Sequence, residues 1–355
     1  MKRILCAVTV LCLLVLSASC LTGSAAEFEN TVLNVYNWGE YIDFEVIENF
    51  EKEYGVRVNY SLFESNEQMY TKLLSGASYD ILIPSDYMIE RLIKENMLQP
   101  LDKSVVTNLD NLTEGVLNLD CDPDNTYMAP YLWQNVGIVY DTTRIDPEKI
   151  EELGFSIYLD EEYAGHAYMY DSERDSFMMA FKALGYSVNT EDPEEIQAAY
   201  EWLRRVDKAV KPAYVTDEVI DAMAYGEKWM AIVYSGDAAY ILSKNEDMGY
   251  CAPKEGTNLC VDGMVIPANA ENPKLANVFI QYILEYENSL MISETVGYAS
   301  PNRQVLEELS GEGGMYEDNA AYLPRTGYEK DEFYHDNETL KKQLSELWIK
   351  VKLHE

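Results

Sequence analysis

The chain has 355 residues and a formal net charge of −35, from 62 acidic and 27 basic residues. That balance excludes a nucleic-acid partner, since phosphate contacts are made by Lys and Arg, and it favours cationic solutes over anionic surfaces. A hydrophobic fraction of 47% with 25% charged residues is globular, and the length suits two domains or lobes.

The first segment is a targeting signal. Met1-Lys2-Arg3 is basic, residues 4–16 (ILCAVTVLCLLVL) are apolar, and Ser17-Ala18-Ser19 are small. This reads as a secretory signal peptide over 1–19. Leu16–Cys20 resembles a bacterial lipobox, with the aliphatic residue one position early at Leu16 and Ser17 in its place. The resemblance implies that Cys20 is lipidated and begins the mature protein. Cleavage by an ordinary signal peptidase near Ala25 or Ala26 is the alternative. No later run is apolar enough to span a bilayer. The mature protein is therefore expected to be exported, periplasmic or at the cell surface, and tethered to the membrane through Cys20.

Residues 32–37 (VLNVYN) alternate as a strand, and Asp43 can cap a helix carrying Val46, Ile47, Phe50 and Tyr54, stopped by Gly55. A strand follows over 56–63, then a helix over about 65–75 ended by Gly76. A short strand cut by Pro84 covers 79–85, and a helix covers 86–96. This β-α-β-α-β-α order predicts a parallel sheet with right-handed crossovers. Later, 135–141 is a strand, 192–207 a helix, and 228–242 a strand turning directly into a helix. Residues 263–268 form a strand, 273–292 one long amphipathic helix, and about 338–353 the last helix. The GEGG at 311–314 lacks the GK[ST] of a phosphate loop.

Cys6 and Cys12 leave with the signal, so Cys121, Cys251 and Cys260 remain beside Cys20. Cys251 and Cys260 flank APKEGTNL, where a hairpin could bring them together, and export permits a disulfide. Cys121 reads as a buried thiol. The three histidines, His166, His335 and His354, are dispersed, so no zinc centre and no other metal or cofactor is expected. A hydrolase using Ser85 or Ser235 is the alternative of another class, but no histidine accompanies either in a recognisable motif. LDCDPDN at 119–125 lacks the glycine of a calcium loop and reads as a solvated turn.

Several strand ends carry the same residue types. The first ends in Asn37-Trp38-Gly39-Glu40-Tyr41, the third in Pro84-Ser85-Asp86-Tyr87, and the strand at 229–234 in Tyr234-Ser235-Gly236-Asp237. Asp262 precedes 263–268. In open α/β sheets ligands bind beyond the carboxyl ends of strands. Rings cover methylenes and attract ammonium groups, and carboxylates fix the charged ends, so this set suits a flexible polycation. Asp237 also stands where a helix N-cap is wanted.

VYNWGEYI (35–42), YSLFESNEQMYTKLL (60–74), YDILIPSDY (79–87), MAPYLW (128–133), KALGYSVNTEDPEEIQAAY (182–200), VDGMVIPANAENP (261–273) and ETVGYASPN (294–302) together resemble the spermidine/putrescine-binding proteins of bacterial ABC transporters. The similarity runs in order over nearly the whole mature chain. It implies an α/β, two-lobed periplasmic-binding-protein fold of type II with a ligand cleft between the lobes. Lobe one would hold 27–135 and 261–306, and lobe two 136–260 and 307–355. It implies a monomeric protein that does no chemistry, captures putrescine or spermidine, and hands it to a membrane permease. Another cationic organic solute on the same fold is the alternative ligand. Matched to the family, the ligand residues are Trp38, Glu40, Tyr41, Ser85, Tyr87, Asp175, Tyr234, Asp237, Asp262 and Tyr298. Asp171 and Tyr334 are further candidates. The chain departs from the family at Asp175, where Glu is usual, at Tyr234, where Trp is usual, and at Cys260, where an aromatic is usual.

Overall fold

A computed structural model describes residues 27–354. The signal peptide and Cys20 fall outside the described residues. Local chemistry sets the first elements as expected. Strand β1 (Val32–Trp38) leads to helix α1 (Phe44–Tyr54), whose first turn is capped by Asp43 accepting from Glu45 N at 2.8 Å. Gly55 ends it in the left-handed region at φ 67°, where glycine carries no Cβ penalty. Strand β2 (Arg57–Phe63), helix α2 (Asn66–Leu74), the two-residue β3 (Ile81–Leu82) and helix α3 (Asp86–Lys94) complete the repeat. β1 runs parallel to both β2 and β3.

The chain continues through β4 (Leu98–Gln99), β5 (Met128–Asp141), α4 (Pro147–Leu153), β6 (Ala167–Tyr170), α5 (Glu173–Leu184), α6 (Pro193–Val210), β7 (Ala213–Val215) and α7 (Glu218–Ala224). β8 (Met230–Tyr234) passes straight into α8 (Ser235–Lys244), as expected. β9 (Met248–Cys251), β10 (Asn258–Pro267), α9 (Pro273–Ile283), α10 (Tyr286–Val296), α11 (Arg303–Ser310), β11 (Glu332–Phe333) and α12 (Glu338–Lys352) finish it. The strands run in the order β2-β1-β3-β10-β5-β8-β6-β7, with β4 and β11 on β10 and β9 on β5. β10 is antiparallel to β3 and β5.

Two hydrophobic cores share the long strand β5, and β10 packs in the first of them. One gathers Leu33, Phe50, Met69, Ile89, Met128, Val265 and Phe279, with members from 33–133 and 261–299. The other gathers Ile138, Phe155, Phe177, Leu203, Ile232 and Trp348, with members from 136–248 and 305–351. β5 passes from the first core at Trp133 to the second at Val136, so Gln134 and Asn135 sit at the junction.

Several expectations change. The strand expected at 135–141 starts at Met128, and the strand expected over 79–85 keeps only two residues before Pro84, which has no N–H to give a ladder. The single helix expected over 273–292 is two. Asn288 Nδ2 and Ser289 Oγ donate to the carbonyls of Tyr282 and Ile283 at 2.8 and 2.9 Å, satisfying the acceptors freed at the break. Cys251 and Cys260 are both free. They pair with different parts of β5, Ile138 and Gln134 respectively. Four strand residues are about 13 Å, beyond the roughly 7 Å limit for bridging. The expected solvated turn is ordered instead: buried Asp122 accepts from the N–H groups of Thr126, Tyr127 and Met128. Among the described residues no helix is long and apolar enough to cross a membrane.

Candidate functional site

The junction of the two cores collects three buried carboxylates, each held by hydroxyl groups. Asp262, on β10 just before its register shifts against β5, accepts from Tyr41 Oη at 2.8 Å and Ser85 Oγ at 2.7 Å. Ser85 stands at the N-cap of α3 but gives its hydroxyl to Asp262 and not to the helix. Its orientation is set by Asn66, whose Oδ1 accepts from Ser85 N at 3.1 Å and whose Nδ2 donates to Tyr87 Oη at 2.9 Å. Tyr41 packs edge-on against Tyr131 and Tyr298, at 5.6 and 5.1 Å between centroids.

Asp237 lies in the first turn of α8, where the N-cap position is Tyr234. Its carboxylate does not cap the helix. It accepts from Tyr170 Oη at 2.9 Å and from Tyr298 Oη at 2.8 Å. The second of these bonds joins Tyr298, packed against the first core, to the first turn of α8, whose Ala238 and Ile241 belong to the second. Tyr298 comes close because residue 236 is glycine: a Cβ there would collide with the tyrosine ring. Asp175, in the first turn of α5, accepts from Tyr234 Oη at 2.9 Å, and Tyr234 stacks on Tyr170 at 4.8 Å.

Burial pushes the carboxyls of Asp237 and Asp262 up to about 6, against the pull of their tyrosine and serine donors. Burial also raises Asp175. Each carboxylate has its hydrogen bonds, but hydroxyl donors supply no net charge. Among the described residues the guanidinium close by is that of Arg174, 3.8 Å from the Tyr87 ring centre, 5.1 Å from that of Tyr334 and 3.8 Å from Glu67. Burial works against its charge, but Tyr87, Tyr334, Glu67 and Asp175 outweigh that and hold it charged. The arrangement can accept a cation from outside, against faces of tyrosine.

Of the ten expected residues, eight are drawn into this constellation: Tyr41, Ser85, Tyr87, Asp175, Tyr234, Asp237, Asp262 and Tyr298. Trp38 packs on Phe63 at 4.5 Å, and its buried Nε1 has no partner among the described residues. Glu40 is exposed, with φ at 48°. That left-handed turn carries its side chain away from the buried carboxylates, and only its neighbour Tyr41 enters. Asp171 accepts from Trp348 Nε1 at 3.0 Å and Lys352 Nζ at 2.5 Å, so it belongs to a peripheral ion pair. Tyr334 is buried and donates to the Arg174 carbonyl at 3.2 Å. Asp86 is buried and raised to about 7, mainly by burial; it accepts from Val261 N and Tyr87 N and ties α3 to β10.

Tyr170, Asn66 and Arg174 were missed. Tyr170 ends β6, and the rule that strand ends carry the site would have found it had a strand been read at 167–170. Ser85 and Ser235 take Asp262, Asn66 and Asn135 as partners. The histidines sit elsewhere, stacked on Trp229 or beside Glu90 and Asp207.

A fold with two cores on a shared strand, and polar groups from both converging between them, defines a solute-binding protein of the two-lobed periplasmic type. The chain belongs to the bacterial extracellular solute-binding proteins, whose family model matches residues 45–323. It is 36% identical over 310 residues to the spermidine/putrescine-binding periplasmic protein of Salmonella typhimurium, covering 87% of this chain and 88% of that one. It is 30% identical over 356 residues to the putrescine/cadaverine-binding protein of Pseudomonas aeruginosa, covering 96% and 99%. Among solved structures it resembles the spermidine/putrescine ABC transporter substrate-binding protein of Streptococcus pneumoniae, with TM-score 0.79, 35% identity, and coverage of 91% and 99%. The resemblance read from the sequence and the expected fold class both hold.

Proposed function

We propose that the protein captures a polyamine outside the cytoplasm and delivers it unchanged to the permease of an ABC transporter. The observation that carries this reading is the set of three buried carboxylates, Asp175, Asp237 and Asp262, each held by tyrosine or serine hydroxyls and walled by tyrosines. Asp262 with Tyr41 and Ser85 holds one ammonium. Asp175 and Asp237 with Tyr234, Tyr170 and Tyr298 hold the other end, and Tyr87 and Trp38 cover methylenes. The four methylenes of putrescine contribute roughly 3 kcal/mol on burial, whereas micromolar affinity needs about 8 kcal/mol. Desolvated charge pairs supply the difference, which requires a closed site.

Closure follows from the two cores. Lobe one comprises 27–135 and 261–306, except that Val305 packs in the second core, and lobe two 136–260 and 307–355, hinged where β5 passes between the cores at Gln134 and Asn135. The mature chain is a monomer tethered through lipidated Cys20. Replacing Cys20 by Ala should release it from the membrane fraction; a variant that stays there overturns the anchor.

Calorimetric titration of residues 27–355 with putrescine, spermidine, cadaverine and a neutral diol tests the reading. Micromolar or tighter binding of amines without binding of the diol supports it. Absence of amine binding overturns it and leaves the solute open.

A further inference from the structure

Gln134 carries a buried amide oxygen with no hydrogen-bond partner among the described residues. Buried acceptors are nearly always satisfied, so an orphan beside a ligand site marks a place for an arriving donor. The position is at that site. On the antiparallel pair β5–β10, Gln134 stands directly opposite Cys260, so both side chains share one face of the sheet. Asp262 lies two residues on, before the register shifts, and so belongs to the same face. Cys260 Sγ is 4.0 Å from Asp262 Oδ1. The thiol also lies within electrostatic reach of Asp175, Tyr41, Tyr87, Tyr234 and Tyr334. Cys260 thus lies beside Asp262 and among the groups that surround the buried carboxylates. A cysteine is short, and the longer glutamine opposite it shares its face of the sheet.

We infer that Gln134 is a ligand-contacting residue whose Oε1 accepts a hydrogen bond from the internal secondary ammonium of a linear triamine. This rests on the polyamine reading above and adds to it a preference. A triamine with its ends at Asp262 and Asp175 passes a nitrogen between them. A four-carbon diamine has only methylenes there and leaves the amide oxygen unpaired. Gln134 therefore selects for spermidine over putrescine.

The experiment is calorimetric titration of residues 27–355 and its Gln134→Leu, Gln134→Ala and Gln134→Glu variants with spermidine and with putrescine, alongside thermal melting. The parent protein should bind spermidine more tightly. Leu and Ala should lower spermidine affinity about tenfold, the scale of one hydrogen bond to a charged group, and putrescine affinity by less than about twofold. Glu should restore or raise spermidine affinity, and the melting temperature of the Leu variant should hold or rise. Equal losses for both amines, or no change for either in both the Leu and Ala variants, would overturn the inference while leaving the polyamine reading in place. A parent protein that binds neither amine would overturn both.

Discussion

Asp262 and Asp86 are close in sequence role and different in the structure. Both are buried, but Asp86 accepts two backbone N–H groups, whereas Asp262 accepts from side chains, the hydroxyls of Tyr41 and Ser85 and the Cys260 thiol. Asp262→Asn should therefore cost about 3 kcal/mol of polyamine binding, roughly a hundredfold, as expected when one partner of a buried charge pair is lost. Asp86→Asn should act mainly on stability. Calorimetry on both variants decides this, and equal affinity losses would take Asp262 out of the site. The carboxyls of Asp237 and Asp262 are raised to about 6, against about 3.9 in an unfolded chain. The folded state binds more protons between those values. Ligand-free stability is therefore greatest below about pH 4 on their account and declines as pH rises through about 6. Set against Asp262→Asn, whose profile lacks one of these groups, the parent should lose more melting temperature between pH 5 and 7.5. Polyamine affinity should change in the opposite sense, weakening as pH falls below about 6, because the cation needs the ionised carboxylates. At this scale the sequence was informative about residue type and poor about direction. The wall Trp38-Gly39-Glu40-Tyr41 looked continuous, but the positive φ of Glu40 splits it, sending Tyr41 inward and Glu40 to solvent. Nothing in the residue names announces that turn.

The elements that carry the site are strand ends followed at once by helices, so two of the three carboxylates, Asp175 and Asp237, lie in first helical turns. There the exposed N–H groups and the helix dipole favour negative charge, which partly offsets the cost of burial. The passage from β8 to α8 shows how closely this is built. Gly236 is the first-turn residue on which the Tyr298 ring rests, and Tyr298 in turn donates to Asp237 one residue on. Gly236→Ala should displace that ring, costing about 1–3 kcal/mol by overpacking and weakening polyamine binding with it. Melting and titration of the variant would show whether both fall; a fall in stability with affinity intact would separate Tyr298 from the ligand. Elements with strong local signals were legible, including the capped α1 and the β8–α8 turn. Those defined by distant partners were not. The break between α9 and α10 depends on Asn288 and Ser289 turning back to carbonyls of the preceding helix. The start of β5 depends on pairing with β10 more than a hundred residues later.

On the scale of the whole molecule, length suggested two lobes but their bounds came only from the family resemblance, since periodicity shows which face of an element is buried and never against what. The same limit hid the contacts that hold the two cores together away from the ligand residues. Arg91 on α3, from the first core, reaches Asp336 at 2.7 Å and Glu338 at 2.7 Å beside α12, from the second. Glu67 on α2 meets Lys341 on α12 at 2.7 Å. The Arg91 side chain is 8% exposed and that of Asp336 16%, so this pair is largely desolvated when the cores approach. In an open form both ions would be hydrated, and the pair would contribute little. Arg91→Gln should therefore leave the ligand residues untouched but shift the balance toward the open form. Because apparent affinity scales with the competent fraction, polyamine binding should weaken about tenfold for a shift of about 1.4 kcal/mol. Small-angle scattering should show the parent contracting when spermidine is added and the variant needing more ligand for the same contraction. Unchanged affinity together with an unchanged contraction curve would mean that the Arg91 pairs persist in the open form, and that closure draws its energy from the ligand and from the other contacts between the cores, Glu67–Lys341 and Tyr298–Asp237.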